Sequence, residues 1–536
     1  MTMTRTIKRW VGFGLLGAVG LGLAGCTDGL LDENPPNVIV ADNLYTSLDG
    51  FRDGLNALYA QARLERDGMS GTNDIRTEMM NMGTDNAFSL YPAGFEHVWN
   101  DWGTYNNPQV DFYLDTWTWM YRMINAANTI VHRADNPDIQ WTDAQKNEVL
   151  AEARFFRAWC YRHLTYLWGP VPLNLEESSG ASVKTDWTRA PVADVRKQME
   201  QDLLFAEQYL PDMPEVPGRL SKAVAEHYLA ELYLAMDEPQ KAEVEAKKVT
   251  ESGNYHLITQ RYGVNANQPG VPFMDMFQDG NVDRDQGNTE AIWVFKYQIN
   301  TPGGGQSIMR RSWVGRYYSL KGVQVAPEYG GRGIGRIGIT PWAIDLYEPQ
   351  DDRGSIYAIR KFYLYNNAAN LPKGKELGDT LWLDWSKAKE KDPGWPSTRK
   401  WDWTDPLDPT GEEQYEDQAY VRLAETYLLL AEAQMKNGEL ADAAATINKL
   451  RDRAGASEIT PDQVTMDFIL DERSRELLTE EERRYTLVRT HTLLERVQKY
   501  NPLAAATIQP RDTVFPIPQA VIDANIGAKM EQNPGY

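Results

Sequence analysis

The chain has 536 residues, a formal net charge of −21 at pH 7 and a sequence pI of about 4.9. Its length provides for a large core or two to three domains, and its two cysteines are too few for a disulfide framework. The acidic balance argues against nucleic acid as a partner, because such binding needs a basic patch to displace counterions.

The first 25 residues have the pattern of a lipoprotein signal peptide. Three basic residues precede an uncharged apolar run from Val11 to Leu23, which is too short for a spanning helix of about 20 residues. The run ends in LAGC at residues 23–26, which looks like a lipobox. We therefore predict cleavage before Cys26 and a covalent lipid on its thiol. The alternatives are an ordinary signal peptide with a chance cysteine, or an uncleaved anchor.

Residues 26–46 are polar, contain Pro35-Pro36 and are predicted to be a lipidated N-terminal tether. The early acidic residues of this segment resemble signals that send some lipoproteins to the cell surface, although a solvated linker has the same composition. From the leader alone we expect an exported protein that is anchored by its lipid.

Residues 47–260 carry the apolar spacing of amphipathic helices and are predicted to form an N-terminal helical scaffold. Thr142 is a plausible helix start, and Gly169-Pro170 is a helix stop. Cys160 lies within one helical pattern and is expected to be a buried free thiol. The predicted helices are Asp49 to Arg66, Asp111 to Ala134, Thr142 to Trp168 and Pro191 to Tyr209.

Two stretches carry similar residues at the same offsets, which indicates a repeated helix–turn–helix unit. Small residues fall where two helices would approach closely, as in tetratricopeptide packing. One such unit cannot bury its own apolar face, so several units should stack. The matching residues are Tyr228, Ala230, Glu231 and Ala242 in the first stretch and Leu429, Ala431, Glu432 and Ala443 in the second.

Residues 261–416 interrupt the helical pattern. They are rich in Gly, Pro, Asn and Trp, with strand-like runs at 291–297 and 355–365. An irregular stretch of this length inside a compact domain is usually functional. We predict an irregular, loop-rich lobe that packs on the helical scaffold.

Helical patterns return from Asp417 to Arg453 and from Thr465 to Tyr500, followed by an extended tail. Residues 417–536 are expected to complete the same compact body as the scaffold. The predicted fold class is mainly α, with a tetratricopeptide-like helix-hairpin scaffold and an irregular lobe that contains short strands.

Two short motifs are weak indications of a cofactor or a metal. Residues 333–338 match GxGxxG but lack the strand and the long helix of a dinucleotide site. Residues 279–290 fit four positions of a calcium loop, but Arg284 takes the position that needs glycine. A polar loop explains this segment better, so we expect no cofactor beyond the covalent lipid on Cys26, and no metal.

The sequence assigns no catalytic residue. No HExxH, CxxC or GxSxG motif occurs, and the six histidines are scattered without metal spacing. A glycosidase needs a pair of carboxylates, and 76 acidic residues neither locate nor exclude such a pair. We expect a protein that is not an enzyme.

Aromatic residues cluster in three non-periodic stretches, at 95–105, 310–318 and 382–403. A ring face stacks on the apolar C–H face of a sugar, and neighbouring amide, carboxylate and guanidinium groups hydrogen-bond its hydroxyls. We predict that at least one cluster forms a binding platform. The alternative for any single ring is that it only covers the scaffold.

The order and spacing of several motifs resemble the SusD/RagB family of outer-membrane lipoproteins over nearly the whole chain. The lipobox is followed by LDENPPN, and a long helix ends in an aromatic-Gly-x-Val-Pro-Leu turn. The remaining motifs are DLYEPQDDR at 345–353, YVRLAETYLLLAEA at 420–433, INKLRDRAG at 447–455, ILDERSRELLTEEERRYTLVR at 469–489, PIP at 516–518 and the terminal QNPGY.

This resemblance implies a lid over a TonB-dependent SusC-like transporter that captures oligosaccharides, or peptides in the RagB branch, without catalysis. It implies a lipid-anchored protein exposed on the cell surface at the outer membrane. It also implies that the tetratricopeptide-like helices face the channel and that the 261–416 lobe contributes much of the ligand face. It carries a ligand-binding role only onto Trp99, Trp102, Trp313 and Tyr317. A lipid-anchored hydrolase and a pure assembly scaffold are the alternatives from other classes.

The charged residues of the C-terminal motifs have a structural interpretation. Their i, i+3 and i+4 spacing predicts ion pairs on the helix surface. The residues concerned are Arg422, Glu425, Glu472, Arg473, Arg475, Glu476, Glu482 and Arg484.

Overall fold

In the computed structural model, residues 41–68 and 76–536 are described. The predicted signal peptide, Cys26 and residues 26–40 of the predicted tether lie outside these ranges. Within them, no helix is both long and apolar enough to cross a bilayer. Residues 44–536 form one compact unit, inside which the predicted boundaries at residues 260 and 416 stay predictions.

Helices dominate the first half of the described chain and its C-terminal part. Residues 41–250 contain α1 (Ala41–Leu44), α2 (Leu48–Arg63), α3 (Thr77–Asn81), α4 (Trp102–Tyr105), α5 (Asp111–Arg133), α6 (Asp143–Trp168), α7 (Val192–Tyr209), α8 (Lys222–Ala235) and α9 (Pro239–Thr250). Three short helices follow, α10 (Pro272–Asp275), α11 (Met309–Trp313) and α12 (Pro341–Asp345). The C-terminal part contains α13 (Leu423–Asn437), α14 (Leu440–Arg453), α15 (Met466–Leu477), α16 (Arg483–Arg489), α17 (Leu493–Tyr500) and α18 (Gln519–Ala524).

The strands are short and pair as four separate antiparallel couples, β1 with β3, β2 with β8, β4 with β7 and β5 with β6. Their bounds are β1 (Ala87–Ser89), β2 (Ala291–Phe295), β3 (Ile337–Ile339), β4 (Ile359–Arg360), β5 (Phe362–Leu364), β6 (Thr380–Trp382), β7 (Ser397–Thr398) and β8 (Gln418–Arg422). Most of these strands lie in the irregular region between α9 and α13. The predicted fold class, a helical scaffold with a loop-rich lobe, is confirmed.

The predicted helix hairpins are present. Helix α8 packs on α9, α13 packs on α14, and α9 also packs along α13, so the two hairpins stack although they lie far apart in the sequence. Ala230 and Ala242 of the first hairpin and Ala431 and Ala443 of the second are fully buried. These small side chains let the helices approach closely, as the repeat predicts. Cys160 is a buried free thiol, also as predicted.

Helix α6 begins and ends where the sequence predicts. The Thr142 hydroxyl accepts a hydrogen bond from the Gln145 backbone N–H (3.2 Å), and the Gln145 side chain accepts one from the Thr142 N–H (2.9 Å). This capping box satisfies two N–H groups that have no partner inside the helix. The helix ends at Gly169, whose φ of 72° favours glycine.

Removing this cap should destabilise the protein. Thr142→Ala is expected to lower the free energy of unfolding by about 1 kcal/mol, because the first turn loses a side-chain acceptor. Urea denaturation would measure the change. Thr188→Ala removes the same hydroxyl at an exposed site outside any helix and serves as the control. Equal stability of the two variants would contradict the capping role.

The predicted helix from Asp417 is wrong at its start. Residues 418–422 form strand β8, which pairs with β2, and helix α13 begins only at Leu423. All five strand residues are buried, and the Tyr420 ring stacks on Phe295 at 4.2 Å. Long-range pairing with β2 therefore overrides the local helical pattern.

The predicted helix from Thr465 to Tyr500 is interrupted twice. It divides into α15, α16 and α17, and Thr479, between the first two, has a φ of 71°. The turn directs Glu480, Glu481 and Glu482 into buried ion pairs. The hydrophobic spacing continues through the break, so it does not reveal these turns.

The ion pairs predicted on the helix surface are mostly buried and long-range, which corrects that prediction. Arg422 pairs with Glu290, Glu476 and Glu480 rather than with Glu425, which pairs with Arg473. The pair between Arg475 and Glu472 keeps the predicted i, i+3 spacing. The buried members of the predicted set are Arg422, Glu472, Arg473, Glu476, Glu482 and Arg484.

Candidate functional site

The four residues predicted to bind ligand lie in the protein core. Trp99 and Trp102 are fully buried, meet edge to face at 5.4 Å and both pack against Phe515. Trp313 and Tyr317 are also buried, and Tyr317 donates a hydrogen bond to the Gly331 carbonyl (2.5 Å). None of the four offers a ring face to a ligand in this structure.

Their burial has a physical reason. The lobe has its own core, in which the Tyr317 ring stacks on Tyr363 at 4.8 Å and meets Tyr329 edge to face at 5.4 Å. Irregular backbone leaves large gaps that only large rings fill, so aromatic density in this region also marks packing. The ligand role of Trp99, Trp102, Trp313 and Tyr317 stays a prediction that their positions do not favour.

The third aromatic cluster, at 382–403, contains the exposed ring. Trp395 and Trp401 are buried, whereas 65% of the Trp382 surface is exposed. Within residues 41–68 and 76–536, no other tryptophan is exposed to a comparable degree. Tryptophan combines a large apolar ring with a polar N–H and is enriched at interfaces, so this exposed ring is a candidate contact for a ligand.

The β5–β6 hairpin explains why Trp382 points outward. Successive side chains of a strand alternate between the two faces of the pair. Phe362 lies opposite Trp382 in the register, and their rings approach to 5.0 Å on the outer face. Tyr363 and Leu381, on the other face, pack into the lobe core. The core therefore fixes the hairpin and leaves one aromatic face free.

A groove of about 380 Å³ runs beside this hairpin, and we call it the hairpin groove. Leucine side chains and Trp382 supply its apolar part, and lysine and aspartate side chains supply its polar part. Lys389 and Asp392 form an ion pair at 3.4 Å. The lining residues are Leu320, Leu381, Trp382, Leu383, Asp384, Ser386, Lys387, Lys389, Asp392 and Gly394.

Two tyrosines and an arginine adjoin the groove at Asp392. The Arg316 guanidinium lies 4.4 Å from the centroid of the Tyr91 ring and donates a hydrogen bond to the Ile334 carbonyl (3.1 Å). Burial raises the pKa of Tyr91, and the charge of Arg316 lowers it, while Asp392 and Tyr318 raise it further. Half-buried Tyr91 therefore lies within electrostatic reach of Asp392, which lines the hairpin groove.

This arrangement suits a ligand with both apolar faces and hydroxyl groups. Aromatic rings cover a C–H face, aspartates accept from hydroxyls, and lysine and arginine donate to them. The sequence pointed to the 382–403 cluster, in which Asp392 lies, and to the 310–318 cluster, which includes Tyr318, but it missed Tyr91. The one sequence signal for an exposed Trp382 is the alternation of inward and outward side chains along the two hairpin strands. This signal can be interpreted only once the pairing of the strands is known.

A second aromatic groove, of about 420 Å³, lies between α5, the segment after α6 and α18. Its rings include buried Trp117 and half-buried Trp187, and the Lys184 ammonium lies 5.2 Å from the Trp187 ring centroid. The Asn125 side chain is already hydrogen-bonded to the Ser178 backbone. This groove has fewer free polar groups and no strongly exposed ring, so the hairpin groove is the better candidate.

The two weak cofactor motifs have structural roles. In the 279–290 segment, Asn281 holds neighbouring backbone, Asp283 pairs with Lys296, and Glu290 pairs with arginines. In the 333–338 segment, a Cβ at Gly333 would lie 1.9 Å from the Val314 carbonyl oxygen, so close packing demands glycine there. No group of histidine, cysteine, aspartate and glutamate side chains that could hold a metal occurs among the described residues.

Comparison with known proteins shows sequence and structural similarity across most of the chain. Residues 44–234 match the family model described as "Starch-binding associating with outer membrane", and residues 289–536 match the one described as "SusD family". SusD-like protein P2 of Formosa agariphila is 25% identical, over 96% of this chain and 98% of that protein.

Solved structures share the fold. A laminarin-binding SusD-like protein superposes with a TM-score of 0.71 at 22% identity, covering 91% of this chain and 99% of that one. Surface glycan-binding protein A from Bacteroides thetaiotaomicron superposes with a TM-score of 0.72 at 19% identity, covering 92% of this chain and 100% of that one.

Proposed function

Because the chain belongs to the SusD/RagB family, we propose that it binds an oligosaccharide in the hairpin groove and delivers it to an outer-membrane transporter. The observation that carries this proposal is the exposed Trp382 ring beside a groove with aspartate and lysine side chains. The printed names of two structural neighbours, a laminarin-binding and a surface glycan-binding protein, support a glycan as the ligand.

The transporter is proposed to be a TonB-dependent SusC-like channel, over which the protein acts as a lid. A lipid on Cys26 would hold it at the outer membrane, and the 26–46 tether would allow the lid to move without loss from the membrane. The family description that mentions association with the outer membrane supports this location. The helix hairpins would face the channel.

The protein is proposed to bind without catalysing a reaction. Peptide capture by a RagB-like member is the alternative within the family, but it relies more on backbone hydrogen bonds than on exposed rings. A lipid-anchored hydrolase would convert the bound oligosaccharide. Chromatography after long incubation would separate these cases, since a binding protein returns its ligand unchanged.

Affinity electrophoresis of the chain from residue 27 onward tests the proposal. We expect at least one polysaccharide of a panel to slow its migration through the gel, whereas a non-binding reference protein of similar size migrates alike in all gels. The truncation keeps the whole compact unit, residues 44–536. Retardation by no polysaccharide, together with binding of a peptide, would replace glycan with peptide as the ligand.

A further inference from the structure

A separate pocket of about 380 Å³ lies in the lobe and shares no lining residue with the hairpin groove. We call it the acidic pocket. Aromatic side chains and carboxyl groups line it, and the proposed oligosaccharide site does not include them. Its principal residues are Phe277, Tyr357, Trp403, Asp279, Asp402 and Glu416.

Glu416 supplies a carboxyl group that is only half satisfied. The residue is 3% exposed and lines the pocket, and its Oε1 accepts a hydrogen bond from Gln414 Nε2 (3.0 Å). Its Oε2 is buried and has no hydrogen-bond partner among the described residues. Buried carboxyl oxygens are rarely left without a hydrogen-bond partner, so this oxygen points to a missing one.

Asp402 repeats this pattern on the same pocket. Its Oδ2 accepts from Arg399 Nε (2.9 Å) and from Arg360, which leaves Oδ1 buried without a partner in the part of the chain that the structure describes. Both residues that carry an unpaired carboxyl oxygen therefore line the same cavity. A ligand with several N–H donors would satisfy both.

The charges around the pocket favour a cation. Four acidic side chains line it, Asp279, Glu328, Asp402 and Glu416, and its one basic lining residue, Arg399, is committed to Asp402. Burial raises the pKa of Glu416 well above its usual range, the neighbouring carboxylates of Asp279, Asp402 and Asp417 raise it further, and Arg310 lowers it. A positive charge that enters the pocket would lower this pKa again and favour the ionised carboxylate.

We propose that the acidic pocket binds a small ligand that carries a protonated amine, with the ammonium donating to the Glu416 and Asp402 carboxyl groups. The Trp403 and Tyr357 rings then cover the body of the ligand and attract its charge through their faces. A bare metal ion fits less well, since no group of three or more potential metal ligands converges within the described ranges. The volume is sufficient for a hydroxylated amine the size of one sugar ring.

Isothermal titration calorimetry of the chain from residue 27 onward tests this proposal. Glucosamine is the probe, and glucose and N-acetylglucosamine are its uncharged analogues. We expect glucosamine to bind at least tenfold more tightly than either analogue, and Glu416→Gln to weaken it at least tenfold. Asp279→Asn, at the exposed rim, should give a smaller loss. Glu458→Gln makes the same chemical change at an exposed site and should leave the affinity unchanged.

The number of protons released on binding is a second readout, which would not change if Glu416 only supported the fold. Titration in buffers of different ionisation enthalpy should show proton release on binding, because the ammonium lowers the pKa of the Glu416 carboxyl group, and no such release in Glu416→Gln. Four results would each overturn the proposal. They are equal affinity for glucosamine and glucose, unchanged affinity in Glu416→Gln, no binding of glucosamine, and competition by Ca²⁺ alone. None of these outcomes alters polysaccharide retention, which tests the hairpin groove.

Discussion

Glu476→Gln is expected to lower the free energy of unfolding by about 3–5 kcal/mol, the cost of removing one partner from a buried ion pair. Glu476 is fully buried, and its carboxylate lies 3.2 Å from both Arg353 and Arg422 and pairs with Arg453. Glutamine keeps the shape but removes the charge and turns an acceptor into a donor. The guanidinium groups then stay buried with less compensation. Urea denaturation followed by tryptophan fluorescence would measure the loss.

The pH dependence of stability provides a second readout for the same variant. Burial alone would raise the pKa of Glu476, but Arg453, Arg422 and Arg353 hold it well below its usual range. A carboxylate with a lowered folded-state pKa stabilises the protein above its unfolded pKa of about 4.3 and loses this contribution as the pH falls. The wild type should therefore lose more stability than Glu476→Gln between about pH 5 and pH 2.

Glu495→Gln provides the matched control, because Glu495 is exposed on α17. Its stability should stay within about 0.5 kcal/mol of the wild type. The opposite result is that Glu476→Gln loses no more stability than this control and keeps the wild-type pH profile. That result would contradict the prediction, because it would mean that other carboxylates compensate for Glu476 among the buried arginines.

The helical scaffold could be predicted because its signals are local. The capping box of Thr142 and the glycine at 169 lie at the two ends of helix α6, and the alanines of the two hairpins recur at fixed offsets. Strand β8 and the buried ion pairs could not be predicted in this way, because their partners lie far away in the sequence. Arg422 has the same spacing from Glu425 whether it lies on a helix surface or, as here, turns inward to Glu476.

The candidate site was predictable as a region and not as residues. Aromatic density marks both the lobe core and its binding surface, so Trp313 and Trp382 look alike in the sequence. The β5–β6 pairing directs Tyr363 inward and Trp382 outward, whereas Trp313 lies buried in the short helix α11. A loop separates the two strands, and nothing in the sequence fixes their register before folding.

Trp382 is the residue on which glycan binding should depend most. Its ring is exposed, whereas the half-buried Trp385 is held by a hydrogen bond from its Nε1 to Asp345 Oδ1 (2.8 Å). The contact with Phe362 restricts the orientation of the Trp382 ring, so little conformational freedom is lost when a sugar stacks on it. A rigid aromatic surface next to charged side chains is the arrangement from which a few residues supply most of the binding energy.

Trp382→Ala is accordingly expected to weaken binding of the retained polysaccharide by about 1–3 kcal/mol, or roughly 5- to 150-fold. Affinity electrophoresis across a series of polysaccharide concentrations would measure the loss of affinity. The free energy of unfolding, measured in parallel, should stay close to that of the wild type, because an exposed ring contributes little to the core. Trp187→Ala removes a half-buried indole from the second aromatic groove and should leave the affinity unchanged. The reverse result, with Trp187→Ala weakened and Trp382→Ala unchanged, would move the glycan site to that groove, because the two surfaces share no lining residue.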